Sequence, residues 1–465
     1  MAYDLCVAQS GNNYTFTFYA NTQPVTGKLL FHTITGDSLG EYTISQALQS
    51  GYNSITIPAS ALPSSHSTIA WSMQLSAESN PQFGIIHEGE VCTRAYASIN
   101  NNPESNYFGH IYLANRKGVG LCQIHAFDYA YQPTFATGNE YLTFNSTGRP
   151  AIDSEGYIYW PDWGDLKSGI TIMDPVDFSE KQFFGGLQND DNGAWYNAIT
   201  QTDLGSSCSS VAIYGSGKDT KLYAMNEDVG EYQQLPKKGF VVYQIGNEDG
   251  TISRQWKNAP TQIVEVEDNN TNGNFAIIAC SHGAWLCQHT LTNQVGTYAL
   301  MFYDHQGMRQ YASTDATLIN GSNGAGIAIN RDENLLAIVN ADGNILLFAI
   351  VWEGDCPTLS LCTTYQTPFN AIGSMHFDYA GNLITTSGNN FGGSKDDLRL
   401  VIYSTPTDSN TIVVPARTSQ FIQRSGTNTF HTQNPLQDIS TPTKFLRNGH
   451  IYILHNGRTY NMLGL

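Results

Sequence analysis

Basic side chains are scarce in this sequence: Lys and Arg total 22 against 40 Asp and Glu, a formal net charge of −18. No basic run occurs anywhere. A phosphate backbone or an anionic bilayer demands clustered Lys and Arg, so nucleic acid and anionic membrane are expected to be poor partners. Long apolar runs are missing too. None approaches the roughly 20 residues that cross a bilayer as a helix, so no helical membrane insertion is expected. The chain runs from Met1-Ala-Tyr-Asp directly into strand-like alternation, and no signal peptide is expected there. The eight cysteines contain no C-x-x-C pair, which removes the usual zinc and dithiol motifs. Most of them, such as Cys280 and Cys287, sit in apolar runs and read as small buried hydrophobes. Cys356 and Cys362 bracket a short proline-containing segment and are placed to bridge a hairpin loop in an oxidising compartment. Nucleophile-elbow, P-loop and dinucleotide-binding fingerprints are all absent.

What is present points to strands. Charged residues make up only 13%, aromatics reach 12%, and Gly (43) and Tyr (26) abound, the profile of short strands joined by tight turns. With 41% hydrophobic residues the 465-residue chain can bury a large core, though its length is too great for one ordinary core.

One unit of sequence recurs between Tyr107 and Gly388. It is a short apolar strand, a polar turn holding Asp, Asn or Gly, a second apolar strand, and a third after another turn. Ala151–Trp160, Gly326–Asn340 and Met375–Thr386 state it most clearly. Six copies can be marked: Phe108–Asp128, Pro150–Pro175, Ser209–Ile245, Phe275–His305, Gly326–Trp352 and Ile372–Pro406. Their spacing of roughly 50 residues is that of propeller blades. A lone meander has two open edges and an uncovered apolar face, and packing copies around an axis removes both problems. The fold class expected is therefore all-β: a β-propeller of six blades, with a seventh able to hide between Pro175 and Ser207, preceded by a small β-sandwich.

The sandwich is read in residues 1–98, from period-two alternation in Tyr14–Tyr19, Lys28–Ile34, Ser54–Ile57 and Thr68–Met73. The polar, proline-containing Asn100–Ser105 marks a boundary, the propeller is placed at 104–415, and residues 416–465 form a linker and a β-hairpin tail. Two Asn-Gly pairs beside apolar runs, at Asn448 and Asn456, specify that hairpin.

Several of these stretches carry a resemblance. Ser105–Asn115, Trp160–Gly164 with Ile170–Pro175, Thr220–Asp228, Phe377–Leu383 and Leu398–Thr411 resemble a family of exported β-propeller proteins of Bacteroidetes-type bacteria. The tail Phe445–Asn461 looks like the C-terminal sorting segment of such proteins. The resemblance implies secretion to the medium or the cell surface. It supplies no catalytic residues.

Trp160, Asp162, Trp163 and Asp165 form the leading candidate site, because indole faces stack on the apolar C–H faces of sugars while carboxylates accept from sugar hydroxyls. The plain alternative is aromatics wedged between blades. Trp195 and Tyr196 lie in a long loop, where binding residues concentrate. Asp190 and Asp191 in the same loop offer hard oxygens for Ca2+, without EF-hand spacing, and solvated loop charge is the competing reading; no other cofactor or metal is expected. His282 and Trp285, with Cys287 and His289 nearby, suggest acid–base or metal chemistry, but their spacing fits no zinc pattern. Asp228 beside Glu227, and Asp304 beside His305, are carboxylates that a glycosidase needs in pairs and that turns also use. The function expected is a non-catalytic exported or cell-surface binding protein whose propeller loops hold a glycan or a surface protein. The alternative is a polysaccharide lyase or hydrolase working at the propeller channel.

Overall fold

A computed structural model describes the chain except for residues 65, 81, 93–94, 117–121, 137–146, 162–169, 176–180, 184–195, 198–201, 204–207, 227–238, 255–259, 267–274, 289–297, 315–317, 320–325, 390–397, 407–409, 425–442, 448–449, 456–457 and 462–465. It divides into two units, Met1–Ala77 with Thr411–Leu465, and Glu78–Asn410.

The first unit holds strands β1 (Ala2–Ser10), β2 (Asn13–Ala20), β3 (Thr26–His32), β4 (Ser38–Thr43), β5 (Gly51–Pro58) and β6 (Thr68–Ala77). One sheet has the order β1-β2-β5. In the other, β4, β3 and β6 are followed by Asn410–Pro415, and Ile422–Gln423 also pairs with β6. Alternation decides which faces meet: Tyr14, Phe16 and Phe18 of β2 point inward while Thr15, Thr17 and Tyr19 point out. Phe16 meets Trp71 edge-to-face at 4.8 Å, inside a core shared with Phe31, Ile55, Ile57 and Met73. The Trp71 indole donates to the Gln420 carbonyl (2.8 Å), so residues placed by sequence in a linker help build the sandwich, where Ala416 and Ile422 are buried; Val414, placed by sequence in the propeller, is buried there as well, because its strand pairs with β6. In the tail, Thr443–Arg447, His450–His455 and Arg458–Asn461 form a three-stranded antiparallel sheet, a double hairpin with one Asn-Gly pair at each connection.

The second unit is the propeller. Five blades are four-stranded antiparallel meanders of consecutive strands: blade 1 spans Tyr96–Ala136, blade 2 Ala151–Phe183, blade 3 Val211–Glu265, blade 4 Phe275–Ala312 and blade 5 Ile327–Tyr365. Blade 6 takes its first three strands from Ala371–Phe377, Leu383–Gly388 and Leu398–Ser404. Its outer strand is β7 (Gly84–Cys92), which precedes blade 1 in the chain. That closure moves the boundary between the units back from residue 98. A strand of alternating residues reads alike at the edge of a sandwich or of a propeller, and only its partner distinguishes the two.

The first strands of blades 1 to 6 contact one another in sequence, and the strand of blade 6 returns to that of blade 1. The cycle closes on six, so among the described residues no place remains for a seventh blade between Pro175 and Ser207. Six apolar clusters fill the six interfaces. Tyr112 and Ile124 of blade 1 meet Ile158, Trp160 and Met173 of blade 2, for example, and Trp285, Leu300 and Phe302 of blade 4 meet Leu346, Phe348 and Trp352 of blade 5. The remaining four interfaces are built alike. Truncating a fully buried indole in such a place costs about 3–5 kcal/mol.

One turn recurs. At Asp128, Asp153, Asp304, Asn340 and Asp378, the side-chain Oδ1 accepts the backbone N–H groups two and four residues on, at 2.8–3.1 Å. The residue three positions on has a positive φ, and it is Gly156, Gly307, Gly343 and Gly381 in four of the turns but Tyr131 (φ 60°) in the first. The chain needs the left-handed region there to reverse within four residues, and glycine enters it without steric cost.

Candidate functional site

Strand parity assigns every loop to an end of the ring. In a four-stranded meander the connections from first to second and from third to fourth strand leave from one end. Those from second to third, and from blade to blade, leave from the other. The turns at Asp128, Asp153, Asp304 and Asp378 belong to the first end.

At that end every pair of adjacent blades is tied by polar or ring contacts. Asn102 Nδ2 donates to the Ser154 carbonyl (2.5 Å) between blades 1 and 2. Arg254 bridges blades 2 and 3, bonding Asp153 and Glu155 at 2.7 Å each and stacking on Tyr157 at 3.5 Å. Burial pushes the Asp153 carboxyl up from its ordinary range, and the Arg254 guanidinium opposes the shift. Tyr214 and Ser281 join blades 3 and 4. Glu333 accepts both the N–H and the hydroxyl of Ser281 between blades 4 and 5. Arg331 lies 4.3 Å over the Tyr379 ring between blades 5 and 6, and Asn101 donates to the Phe377 carbonyl (2.7 Å) to complete the circuit.

His282 belongs to this belt. It occupies the two-residue turn between the first two strands of blade 4, its ring stacked on Trp352 of blade 5 (4.1 Å, 14°) and its Nδ1 3.1 Å from Asp355 Oδ1. The neighbouring Ser281 hydroxyl is given to Glu333, and His305 Nε2 donates to the Ser281 carbonyl (2.7 Å). The arrangement holds a dyad of imidazole and carboxylate, but its hydroxyl and second histidine are engaged in joining blades. Among the described residues no three His, Cys, Asp or Glu side chains converge to hold a metal ion.

The other sequence candidates part company. Trp160 and Trp285 are 0% exposed, inside the interfaces of blades 1–2 and 4–5, so neither indole offers a face to a sugar. Their placement follows from strand position: each falls within an apolar strand whose every residue is buried. Asp162, Trp163, Asp165, Trp195 and Asp228 lie outside the described residues, as do Asp190, Asp191, Glu227 and His289. Of Tyr196 the structure describes the backbone, paired with Asp203. Cys356 and Cys362 stand on one strand, six residues apart, and both thiols are free. At about 3.4 Å per residue they are on the order of 20 Å apart, far beyond disulfide reach.

Asp304 is a turn carboxylate. Its Oδ1 accepts from the Gln306 and Met308 amides (2.9 Å each) and its Oδ2 from Gln310 (2.5 Å). Asp304→Ala is expected to lower the unfolding free energy by about 1–2 kcal/mol, since it removes the acceptor of two turn amides and of Gln310, whereas Asp304→Asn retains most of it; urea denaturation of the three proteins checks this.

Sequence reasoning passed over Arg149. It is 4% exposed, donates to the Gly373 carbonyl (2.8 Å) and the Ser209 carbonyl (3.3 Å), and lies 5.0 Å over the Tyr96 ring. One cation thus reaches groups from three blades besides its own. The available signal was scarcity: with so few basic residues, an Arg within a repeat stands out.

No protein-family model and no curated protein matches the sequence. Solved structures resemble its fold. A structural-genomics protein of unknown function from Bacteroides thetaiotaomicron is 10% identical, with 87% of this chain and 100% of that one aligned, at a TM-score of 0.42. The WD40 repeats of RRP9 are 12% identical over 70% of this chain and 99% of theirs (TM-score 0.41). The C-terminal WD40 domain of Sif2 is 10% identical over 73% and 93% (TM-score 0.36). The propeller assignment stands on the six sheets and their closure.

Proposed function

We propose that this protein is a non-catalytic binding protein, whose propeller presents a ligand site at the end of the ring opposite the tied turns. The observation that carries the reading is where the described strands flanking three connections end. Segment 162–169, with Asp162, Trp163 and Asp165, runs from the second to the third strand of blade 2. Segment 184–210, with Trp195 and Tyr196, runs from blade 2 to blade 3. Segment 227–238, with Asp228, runs from the second to the third strand of blade 3. By strand parity all three leave from one end of two adjacent blades. The indoles and carboxylates that the sequence supplies in these segments would suit a glycan or a polar patch on a surface protein. A rigid ring costs little ordering entropy on binding, which leaves the loops to set specificity. The same reading makes the protein exported, in keeping with the resemblance of its tail to a sorting segment.

A glycan array with the purified chain, followed by product analysis, tests this. Retention of a glycan without cleavage is expected, and Trp163→Ala is expected to weaken it about tenfold, or about 1.4 kcal/mol. New reducing or unsaturated ends would instead establish the lyase or hydrolase alternative.

A further inference from the structure

The outer face of the sheet β1-β2-β5 is built differently from the rest of the surface. Three directly opposed pairs run along β2 and β5: Thr15 with Thr56, Thr17 with Ser54, and Tyr19 with Tyr52. All six side chains point away from the sandwich core, every one ends in a hydroxyl, and none is charged. The two threonine hydroxyls share a hydrogen bond of 3.0 Å, and the two tyrosine rings meet edge-to-face at 5.3 Å. Tyr52 is 58% exposed, the one aromatic among the exposed large apolar side chains of the described residues. On β1 the flanking residues are Cys6 and Ala8, paired with Thr17 and Thr15, and Asp4 stands at the bulged end of that strand. The opposite sheet keeps the ordinary pattern for a solvated face, with Lys28 and Glu41 in an ion pair of 2.7 Å.

We infer that this hydroxyl-lined face is a second binding surface, and that its occupant is a neutral polysaccharide. Four residues of β2 span roughly 14 Å at 3.4 Å each, a strip suited to a short run of sugars. Sugar hydroxyls both donate and accept, and so do protein hydroxyls, so the chemistry of the strip matches that of a sugar chain. An exposed tyrosine beside the strip supplies ring area for sugar C–H groups at low entropic cost. Charge selects among polysaccharides. The net charge of −18 repels uronate and sulfate chains, and although the Arg417 guanidinium faces Asp4 and bonds Cys6 at the edge of β1, no residue of the two hydroxyl rows carries a charge. A protein partner would meet no apolar centre for burial here, the feature that anchors stable interfaces.

The test is affinity electrophoresis of the intact chain through gels holding a soluble β-glucan, a galactomannan or, as the acidic control, polygalacturonate. Retardation by a neutral polysaccharide and not by polygalacturonate is expected. Tyr52→Ala should reduce that affinity about tenfold, and Ser54→Asp, which touches neither ring, about fivefold or more, with unchanged thermal midpoints. Free migration of the wild type in both neutral gels overturns the inference. So does retardation of both variants equal to wild type, a result that would locate glycan binding on the propeller instead. Sedimentation that shows a dimer abolished by Tyr52→Ala, without retardation, would assign the face to a second copy of the chain and likewise overturn it.

Discussion

A fragment of residues 95–410 is expected to have no cooperative unfolding transition, whereas residues 78–410 keep one. The difference between them is β7. This strand pairs with Leu398–Ser404 from Gly84 opposite Ser404 to Cys92 opposite Leu398, and the Arg399 guanidinium meets Glu88 at 2.8 Å. Leu398, Leu400 and Ile402, all 0% exposed, belong to the apolar cluster between blades 6 and 1. Without β7 the last blade would keep three strands and open an unpaired edge beside that cluster, and every other blade is held in place by neighbours on both sides. Net stabilities of about 5–15 kcal/mol are small against the loss of a full strand from a closed ring. Near-UV circular dichroism and sedimentation of the two fragments decide the matter. Should 95–410 melt within a few degrees of 78–410, β7 is a dispensable trim.

Acid should destabilise the fold well above the carboxylate range. Burial holds the His376 and His110 imidazoles down at about 4, although a hydrogen bond to the Ala97 backbone partly opposes this at His376. In the unfolded chain both titrate near 6.5. Below that value the unfolded state binds protons that the folded state refuses, so stability is complete above pH 6.5 and declines as pH falls toward 4. Two such groups give a slope of at most about 2.7 kcal/mol per pH unit near pH 5. Asp153 and Asp378 act in the opposite sense. Burial pushes both carboxyls up from their ordinary range, so the folded state takes their protons before the unfolded chain does and this part of the stability grows as pH falls. Urea midpoints between pH 7 and 5 should therefore fall, and His376→Gln should flatten the decline by about half. A midpoint that does not move over this range removes the histidines from the account.

The propeller was legible because its repeats carry two signals at once, period-two apolar strands and the Asp-x-x-Gly turn. Asp153–Gly156 and Asp378–Gly381 show both. The ring's closing strand was not legible, since nothing in Gly84–Cys92 names a partner about 300 residues away. Trp160 and Trp285 misdirected the site reading for a related reason: an indole in sequence looks the same whether it wedges between blades or meets a ligand. His282 was noticed for its chemistry, yet its partners Trp352 and Asp355 come from the next blade, beyond any local pattern. The hydroxyl rows of β2 and β5 were present in sequence as ordinary strand alternation. Register alone turned them into paired ladders.

The order in which the chain is synthesised meets the closure of the ring in an awkward way. Gly84–Cys92 leaves the ribosome first among the propeller strands, and its partner Leu398–Ser404 leaves last. At 5–20 residues per second the early strand waits on the order of 15–60 s, with Ile85 and Ile86 and a row of unused amides and carbonyls on offer. During that interval it is a natural hold for a chaperone, and a natural point of capture between two nascent chains.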